Sequence, residues 1–340
     1  MSKLYHMLHK AYRHFRLAKA VKKRYRKNKE NFSTEYADVY RTEQLAVGKG
    51  LSADRIKAAS DQKTRYIVQY LRKECAEIVR RFADQKPSAS GKRADTIWVF
   101  WWTGEQSAPE LVRACINSIR KNANGHEVVM LDQSNYQQYV KLPEHIIRKH
   151  DAGIIGHAHF SDIVRLSLLA SCGGAWIDAT VFLSQPVPDI VFTRDFYTMR
   201  AYDPDALYPS KSRWCGYFLA GDPSFPLFGF TRDCLIAYWR EHNIDIDYLL
   251  MDYIMILGYE TVPEIRASVD SLEDNNLLRN KLMACRNEPY SAELFRELTD
   301  GDTFVSKLSW RYGNLTAATK DGAETNYGHF LSLFLPQPRC

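Results

Sequence analysis

An α/β architecture, with a mostly parallel sheet flanked by helices, is what the sequence predicts, and three observations carry that expectation. Short apolar, β-favouring runs at 97–101, 127–131 and 175–177 are separated by stretches of helical periodicity rather than by hairpin turns. These runs lead into Trp102-Thr103, Asp132 and Asp178, and parallel sheets bind ligands beyond the carboxyl ends of their strands. Hydrophobic residues make up 45% and charged residues 25% of the 340, an ordinary globular balance that excludes a mainly disordered chain. The length fits about two domains, or one large domain with additions.

The elements follow in order. Residues 1–30 read as a basic amphipathic helix. Leu4, Leu8, Ala11, Phe15 and Ala18 recur at spacings of three and four, and Lys10, Arg13, Arg16, Lys19, Lys22 and Lys23 fill much of the rest. The segment holds eleven Lys/Arg against one acid, Glu30, a charge of +10; taken from the chain's +6, it leaves the other 310 residues at −4. A basic arm on an acidic body implies a polyanionic partner. An anionic membrane surface suits it best, because the apolar stripe buries in the interface while the cations meet headgroups. A helix docked on its own domain and a nucleic-acid-binding arm are the other readings. Residues 31–95 read as a helical region and linker. Within it, 52–84 is expected as one helix with Ser52 as its cap and Ile67, Leu71, Cys75, Ile78 and Phe82 as its apolar stripe. The polar, Pro- and Gly-containing stretch 86–95 is the linker. The catalytic domain is expected over 96–340.

After the strand at 97–101, Ser107 and Glu110 have capping-box spacing before a helix to about Lys121. The strand at 127–131 ends at Asp132. A helix over about 161–171, a Gly173-Gly174 turn and a strand at 175–177 then lead to Asp178. The longest apolar stretch, 166–177, is 12 residues between Arg165 and Asp178, short of the roughly 20 a membrane span needs. No apolar leader run stands near the N-terminus. The seven cysteines are odd in number, include no CxxC pair and lie at least 19 residues apart. Reduced thiols in a cytosolic compartment are therefore expected.

Common phosphate-binding and nucleophile motifs are absent: there is no GxxxxGKS/T, no GxGxxG after a strand, no GxSxG and no HExxH. His157-x-His159 stands alone and reads as structural. What remains is 159–178, HFSDIVRLSLLASCGGAWID. Asp162 and Arg165 are one helical turn apart and project from one face. An acid and a guanidinium there suit the hydroxyls and phosphates of a sugar nucleotide, the planar fork giving paired hydrogen bonds. A surface ion pair of little energetic value is the equal alternative. Asp178 leaves a buried strand at the carboxyl edge of the sheet. A carboxylate placed so binds a ribose hydroxyl or a hard cation such as magnesium or manganese, or simply caps the next turn.

At this point the residues resemble a known family. Ser161-Asp162-x-x-Arg165 followed by Gly173-Gly174-x-Trp176-x-Asp178-Ala179-Thr180 is similar to the capsular polysaccharide synthesis family. That family is related to glycosyltransferases of the type A fold, which carry an S-D-x-x-R…G-G-x-x-x-D-x-D signature. The opening Ile97-Trp98-x-x-Trp101-x-x-Gly104 with Ala108-Pro109, and the later blocks Leu249–Tyr253 and Ser306–Trp310, resemble further parts of its pattern. The similarity covers roughly 96–312. It implies a glycosyltransferase type A catalytic domain carrying an N-terminal helical extension. It places Trp102 and Thr103 near the nucleotide base, has Asp162 and Arg165 hold donor ribose, sugar or phosphate, and puts Asp178 at the first acid of the D-x-D motif. Thr180 stands where the second acid is found. Because that acid usually touches the metal, a divalent cation, manganese or magnesium, is in doubt here, with Asp178, Thr180 and His329 as the candidate ligands. Lys307 is the candidate for neutralising the leaving diphosphate as a point charge. Asp252 is the candidate for touching the sugar or acceptor hydroxyl, with a helix-surface acid beside Leu249 and Tyr253 as the equal alternative.

The expectation that follows is a glycosyltransferase in bacterial capsular or other surface polysaccharide synthesis. It would take a nucleotide-sugar donor and a saccharide acceptor, expected to be lipid-linked, and would retain anomeric configuration as the resemblance implies. It would sit peripherally on the inner face of the cell membrane through residues 1–30. A sugar-phosphate transferase or nucleotidyltransferase on a similar fold is the alternative. A nucleic-acid-binding protein is a third, disfavoured by the acidic body. Donor, acceptor and linkage depend on the pocket shape around 200–209 and 214–226, and the aromatics of the latter offer faces for sugar stacking or for the core.

Overall fold

A computed structural model of the chain describes residues 18–84, 95–311 and 314–336. Four helical segments come first: α1 (18–31 of the described residues), α2 (Thr34–Gly48), α3 (Ala53–Glu74) and α4 (Ala76–Ala83). Next come β1 (Thr96–Phe100), α5 (Glu110–Lys121), β2 (Glu127–Leu131), α6 (Glu144–Asp151), α7 (His157–Cys172) and β3 (Gly174–Ile177). They are followed by β4 (Val181–Leu183), α8 (Ile190–Thr193), β5 (Phe196–Thr198) and β6 (Phe218–Gly221). The rest is α9 (Pro226–Glu241), α10 (Leu250–Thr261), α11 (Pro263–Asp270), α12 (Lys281–Ala284), α13 (Ala292–Asp300), β7 (Val305–Lys307) and α14 (Asn326–Phe334).

The expected mixed α/β fold is present. The main sheet has the order β2-β1-β3-β6-β5. β1 runs parallel to β2 and β3, while β6 is antiparallel to β3 and β5, so every strand but β6 points the same way. β4 and β7 form a separate antiparallel pair that sets Val181 opposite Lys307. All five residues of β1 and all four of β3 are buried, which is how strands read when both sheet faces are covered. The Gly173-Gly174 turn is sterically obligatory. Both residues have positive φ, 70° and 87°, and a Cβ on Gly173 would lie 2.7 Å from Pro223 Cδ and 2.8 Å from the Gly221 carbonyl.

The helices before β1 share the core of the main sheet: Tyr36, Ile67 and Leu71 belong to one continuous cluster with Phe100, Trp176 and Phe330. They also grip the segment ahead of α10. Arg24 donates to the Asp245 carboxylate and to the carbonyls of Asp245 and Ile246. Tyr36 Oη donates to Ile246 O. Lys63, nearly buried, pairs with Glu43 at 3.0 Å and Asp247 at 3.1 Å. In α1, Val21 and Asn28 are buried while Lys19, Lys22, Lys23, Arg26, Lys27 and Lys29 are exposed. This stretch is thus docked on its own domain with its cations facing solvent. Of the expected apolar stripe, Ala18 is exposed, while Leu4, Leu8, Ala11 and Phe15 lie outside the described residues, as does the linker except Asp95.

Several local expectations are corrected. The helix expected over 52–84 is two, because Cys75 leaves helical geometry at φ −102°, ψ 20°. Its stripe is nevertheless real, with Ile67, Leu71, Cys75 and Phe82 buried. Ser52 makes no capping bond. Ser107 caps nothing: it ends a 3-10 turn, and its hydroxyl donates to the Thr103 carbonyl and hydroxyl oxygens. Extended Ala108 and Pro109 then start α5 at Glu110. α7 begins at His157, one turn before its expected start. The six described cysteines are free thiols. Among the described residues no helix is long and apolar enough to cross a membrane.

Candidate active site

A cleft of about 760 Å³ opens beyond the carboxyl ends of β1 and β3. Trp102 and Thr103 follow β1 into its wall, and Asp178 and Thr180 follow β3. Asp162 and Arg165 enter from α7, Asp252 from α10 and Lys307 from β7. The structure therefore brings together eight of the nine residues singled out from sequence.

Arg165 is the hub. Its NH1 lies 3.3 Å from Asp162 Oδ1 and its NH2 3.1 Å from Asp178 Oδ1, and its side chain is only 7% exposed. That burial removes the surface-pair alternative. The guanidinium also lies over the Trp176 ring, 4.9 Å from the centroid. Gly216 leaves it room, since a Cβ there would approach Arg165 NH1 to 3.2 Å and Met251 Cε to 2.6 Å.

Asp178 is held from both ends. Oδ1 accepts from Arg165 and, at 2.9 Å, from Trp176 Nε1; Oδ2 accepts from Lys307 Nζ at 3.0 Å. The β4–β7 ladder delivers Lys307, whose Nζ also donates to Thr180 Oγ1 at 2.6 Å. Burial alone would raise the Asp178 pKa, but the charges of Lys307 and Arg165 and the hydrogen bonds from Trp176 and Lys307 hold it down to about 2. Asp252 is the opposite case. Burial pushes it up to about 6, Asp162 adds to the rise, and the Trp214 Nε1–H donating at 2.9 Å opposes it. Burial also raises Asp162, against the pull of Arg165 and His159.

His329 does not join this group. It sits on α14, pairs with Glu324 at 3.2 Å and packs on Tyr290 with ring centroids 3.9 Å apart. The ligand set Asp178–Thr180–His329 is therefore not assembled. His157, read as structural from sequence, bonds to His150 Nε2 at 3.1 Å beside Trp102 and also lines the cleft. Asp132 caps the turn after β2 through Ser134. The stretch 214–226 divides: Trp214 and Tyr217 line the cleft, while Phe218 and Phe225 are core. From the stretch 200–209, Tyr208 lines the cleft. Sequence reasoning missed Arg279, Tyr248 and the placement of Trp310, all of which line the cleft. The first two lie in stretches without helical or strand periodicity. Trp310 closes a block already noted, which was its available signal.

A family model described as capsular polysaccharide synthesis protein matches residues 49–329. The chain belongs to the capsular polysaccharide synthesis family. The match starts well before residue 96, in keeping with α3 and α4 sharing the core. Over 127 residues the chain is also 33% identical to a protein named O-glycosyltransferase braB from Annulohypoxylon truncatum. That similarity covers 35% of this chain and 30% of the relative's length. The α/β fold with its mostly parallel sheet is compatible with the glycosyltransferase type A architecture to which the family's signature is related.

The family resemblance raises a divalent cation, and the donor set does not fit one. Hard cations need several anionic or carbonyl oxygens. Asp178 already takes three donors, and Thr180 offers a neutral oxygen that Lys307 occupies. The formal charges of Asp162, Arg165, Asp178 and Lys307 sum to zero without an ion. An ion seated on Asp178 would lie beside the Lys307 ammonium, whose repulsion offsets the attraction of the one carboxylate. Among the described residues no group of three or more His, Cys, Asp or Glu is placed to hold a metal.

Proposed function

We propose that this member of the capsular polysaccharide synthesis family is a glycosyltransferase that moves a sugar from a nucleotide-sugar donor to a saccharide acceptor in surface polysaccharide assembly. The observation that carries the reading is the Arg165–Asp178–Lys307 cluster. It sets two cations on one carboxylate in the wall of a cleft beyond the strand ends. The cleft's volume suits a ligand of nucleotide-sugar size. Family membership and the similarity to a protein named as an O-glycosyltransferase support it.

In this reading Trp102 and Thr103 meet the base and Asp162 takes a ribose or sugar hydroxyl. Arg165 and Lys307 face the diphosphate, and Asp178 aligns both. The bond between the anomeric carbon and the diphosphate oxygen breaks, its electron pair going to the diphosphate. The acceptor hydroxyl oxygen bonds to that carbon, and its proton passes to Asp252, whose raised pKa suits a base near neutrality. The growing negative charge meets two preset cations, so little reorganisation is needed. The reading extends to a lipid-linked acceptor at the inner membrane face and to retention of configuration, for which the acceptor oxygen must bond on the same face of the sugar that the diphosphate leaves.

Two measurements test it. Incubation with a panel of nucleotide sugars and saccharide acceptors should release free nucleoside diphosphate with a glycosylated acceptor. Nucleoside monophosphate with a phosphorylated acceptor would instead identify a sugar-phosphate transferase. Arg165→Lys loses the planar fork and should lower kcat/KM by about 10- to 100-fold. A lysine variant as active as the parent removes Arg165 from donor binding.

A further inference from the structure

We infer that the Lys307 ammonium takes the place of the divalent cation in this enzyme, so that the donor diphosphate is bound and its departure stabilised without a metal. The inference rests on the glycosyl-donor reading and adds to it the identity of the counter-charge. Five observations carry it.

The ammonium bridges the first and third residues of Asp178-Ala179-Thr180, at 3.0 Å from Asp178 Oδ2 and 2.6 Å from Thr180 Oγ1. These are the positions whose side chains would otherwise hold the ion. The residue at the third position is a threonine, which adds no negative charge, so one positive charge on Lys307 balances the one carboxylate. The backbone locks the lysine there. Its amide donates to Arg279 O at 2.7 Å, Leu308 N donates to Thr180 O at 3.0 Å, and Val181 pairs with Lys307 in the β4–β7 ladder. The Tyr217 ring lies 5.0 Å from the ammonium and supports its charge. Finally, the side chain keeps 26% exposure in the cleft wall, and an ammonium has three donors. Two are engaged by Asp178 and Thr180, leaving the third for a phosphate oxygen. In this role Lys307 acts by charge and hydrogen bonding and exchanges no proton with donor or acceptor, so the bond changes of transfer are those already given.

Calorimetric binding of UDP, GDP, ADP and CDP to the full chain, in excess EDTA and again with manganese, decides the matter. For the tightest of the four, the parent should bind in EDTA within about twofold of its affinity with manganese. Lys307→Met should weaken that binding by at least about tenfold, with its thermal unfolding still cooperative. Adding Thr180→Asp to Lys307→Met should restore binding only when manganese is present. If Lys307→Met fails to fold, Lys307→Arg serves instead, and its binding should remain resistant to EDTA. A parent about tenfold or more tighter with manganese than in EDTA overturns the inference while leaving the donor reading intact. So does an undiminished Lys307→Met, or an arginine variant that has become manganese-dependent. If none of the four nucleotides binds in either condition, the donor reading fails and this inference with it.

Discussion

Asp252 carries a cost of burial that Asp178, held by two cations, does not. Its pKa is moved from 3.8 to about 6 by burial. Ionising it at neutral pH therefore costs on the order of 3 kcal/mol relative to an unfolded chain. The sign follows from linkage: a raised folded-state pKa contributes stability below about pH 4 that is lost as pH rises through about 6. Asp178 has the reverse sign, its stabilisation being present above about pH 4 and lost as pH falls toward 2. Asp252→Asn keeps an oxygen for the Trp214 indole and removes the charge. At pH 7.5 it should gain about 1–2 kcal/mol of stability while losing at least about a hundredfold in transfer rate. The parent's rate should fall as pH drops through about 6, as the base becomes protonated. Chemical denaturation and a pH–rate profile check both halves. An asparagine variant with normal turnover removes Asp252 from proton transfer.

The elements before β1 act on the cleft through the segment ahead of α10. Lys63 on α3 joins Glu43 on α2 to Asp247, which in turn accepts from the Leu249 amide at 3.0 Å. Tyr248 and Leu249 then line the cleft one residue before α10 brings in Asp252. Lys63→Met leaves two buried carboxylates facing each other and should cost about 3–5 kcal/mol. Urea unfolding measures that loss, and a change under about 1 kcal/mol would show that the triad does not hold the helices to the body. This coupling was not legible in the sequence, since Lys63 and Asp247 are 184 residues apart. What was legible came from local regularity. The strand at 127–131 is read correctly because the four-residue apolar run after Glu127 has few other uses, and the Asp162–Arg165 spacing is a helical one. Asp178 and Lys307 were each singled out, but their contact spans 129 residues and exists only because β4 pairs with β7. Arg279 and Tyr248 were invisible because loops carry no period to read. His329 failed for a related reason: its ring is taken up by Tyr290 and Glu324, neighbours supplied by folding rather than by motif.

At the scale of the whole molecule, charge is divided by location. Residues 1–30 hold +10 and the remainder −4. The described part of that arm is fixed to the body by Arg24, Val21 and Asn28 on one face, so its exposed lysines are presented in a set direction rather than on a loose tail. Deleting residues 1–30 would also remove the Arg24 grip on Asp245, and would mix a binding effect with a stability effect. Charge reversal separates them. Lys19, Lys22 and Lys23 are exposed, and each cation near an anionic membrane is worth about 1 kcal/mol. The parent should partition onto vesicles containing anionic lipid, and that partitioning should weaken with salt, since the Debye length is only about 10 Å at 0.1 M. The triple variant Lys19→Glu, Lys22→Glu, Lys23→Glu should bind such vesicles at least about a hundredfold more weakly, with its thermal midpoint unchanged because the docked face is untouched. Transfer to a short soluble acceptor should be spared while transfer to a lipid-linked one falls. If the triple variant sediments with vesicles as fully as the parent does, these lysines are not the membrane contact, and the positive arm serves a different polyanion.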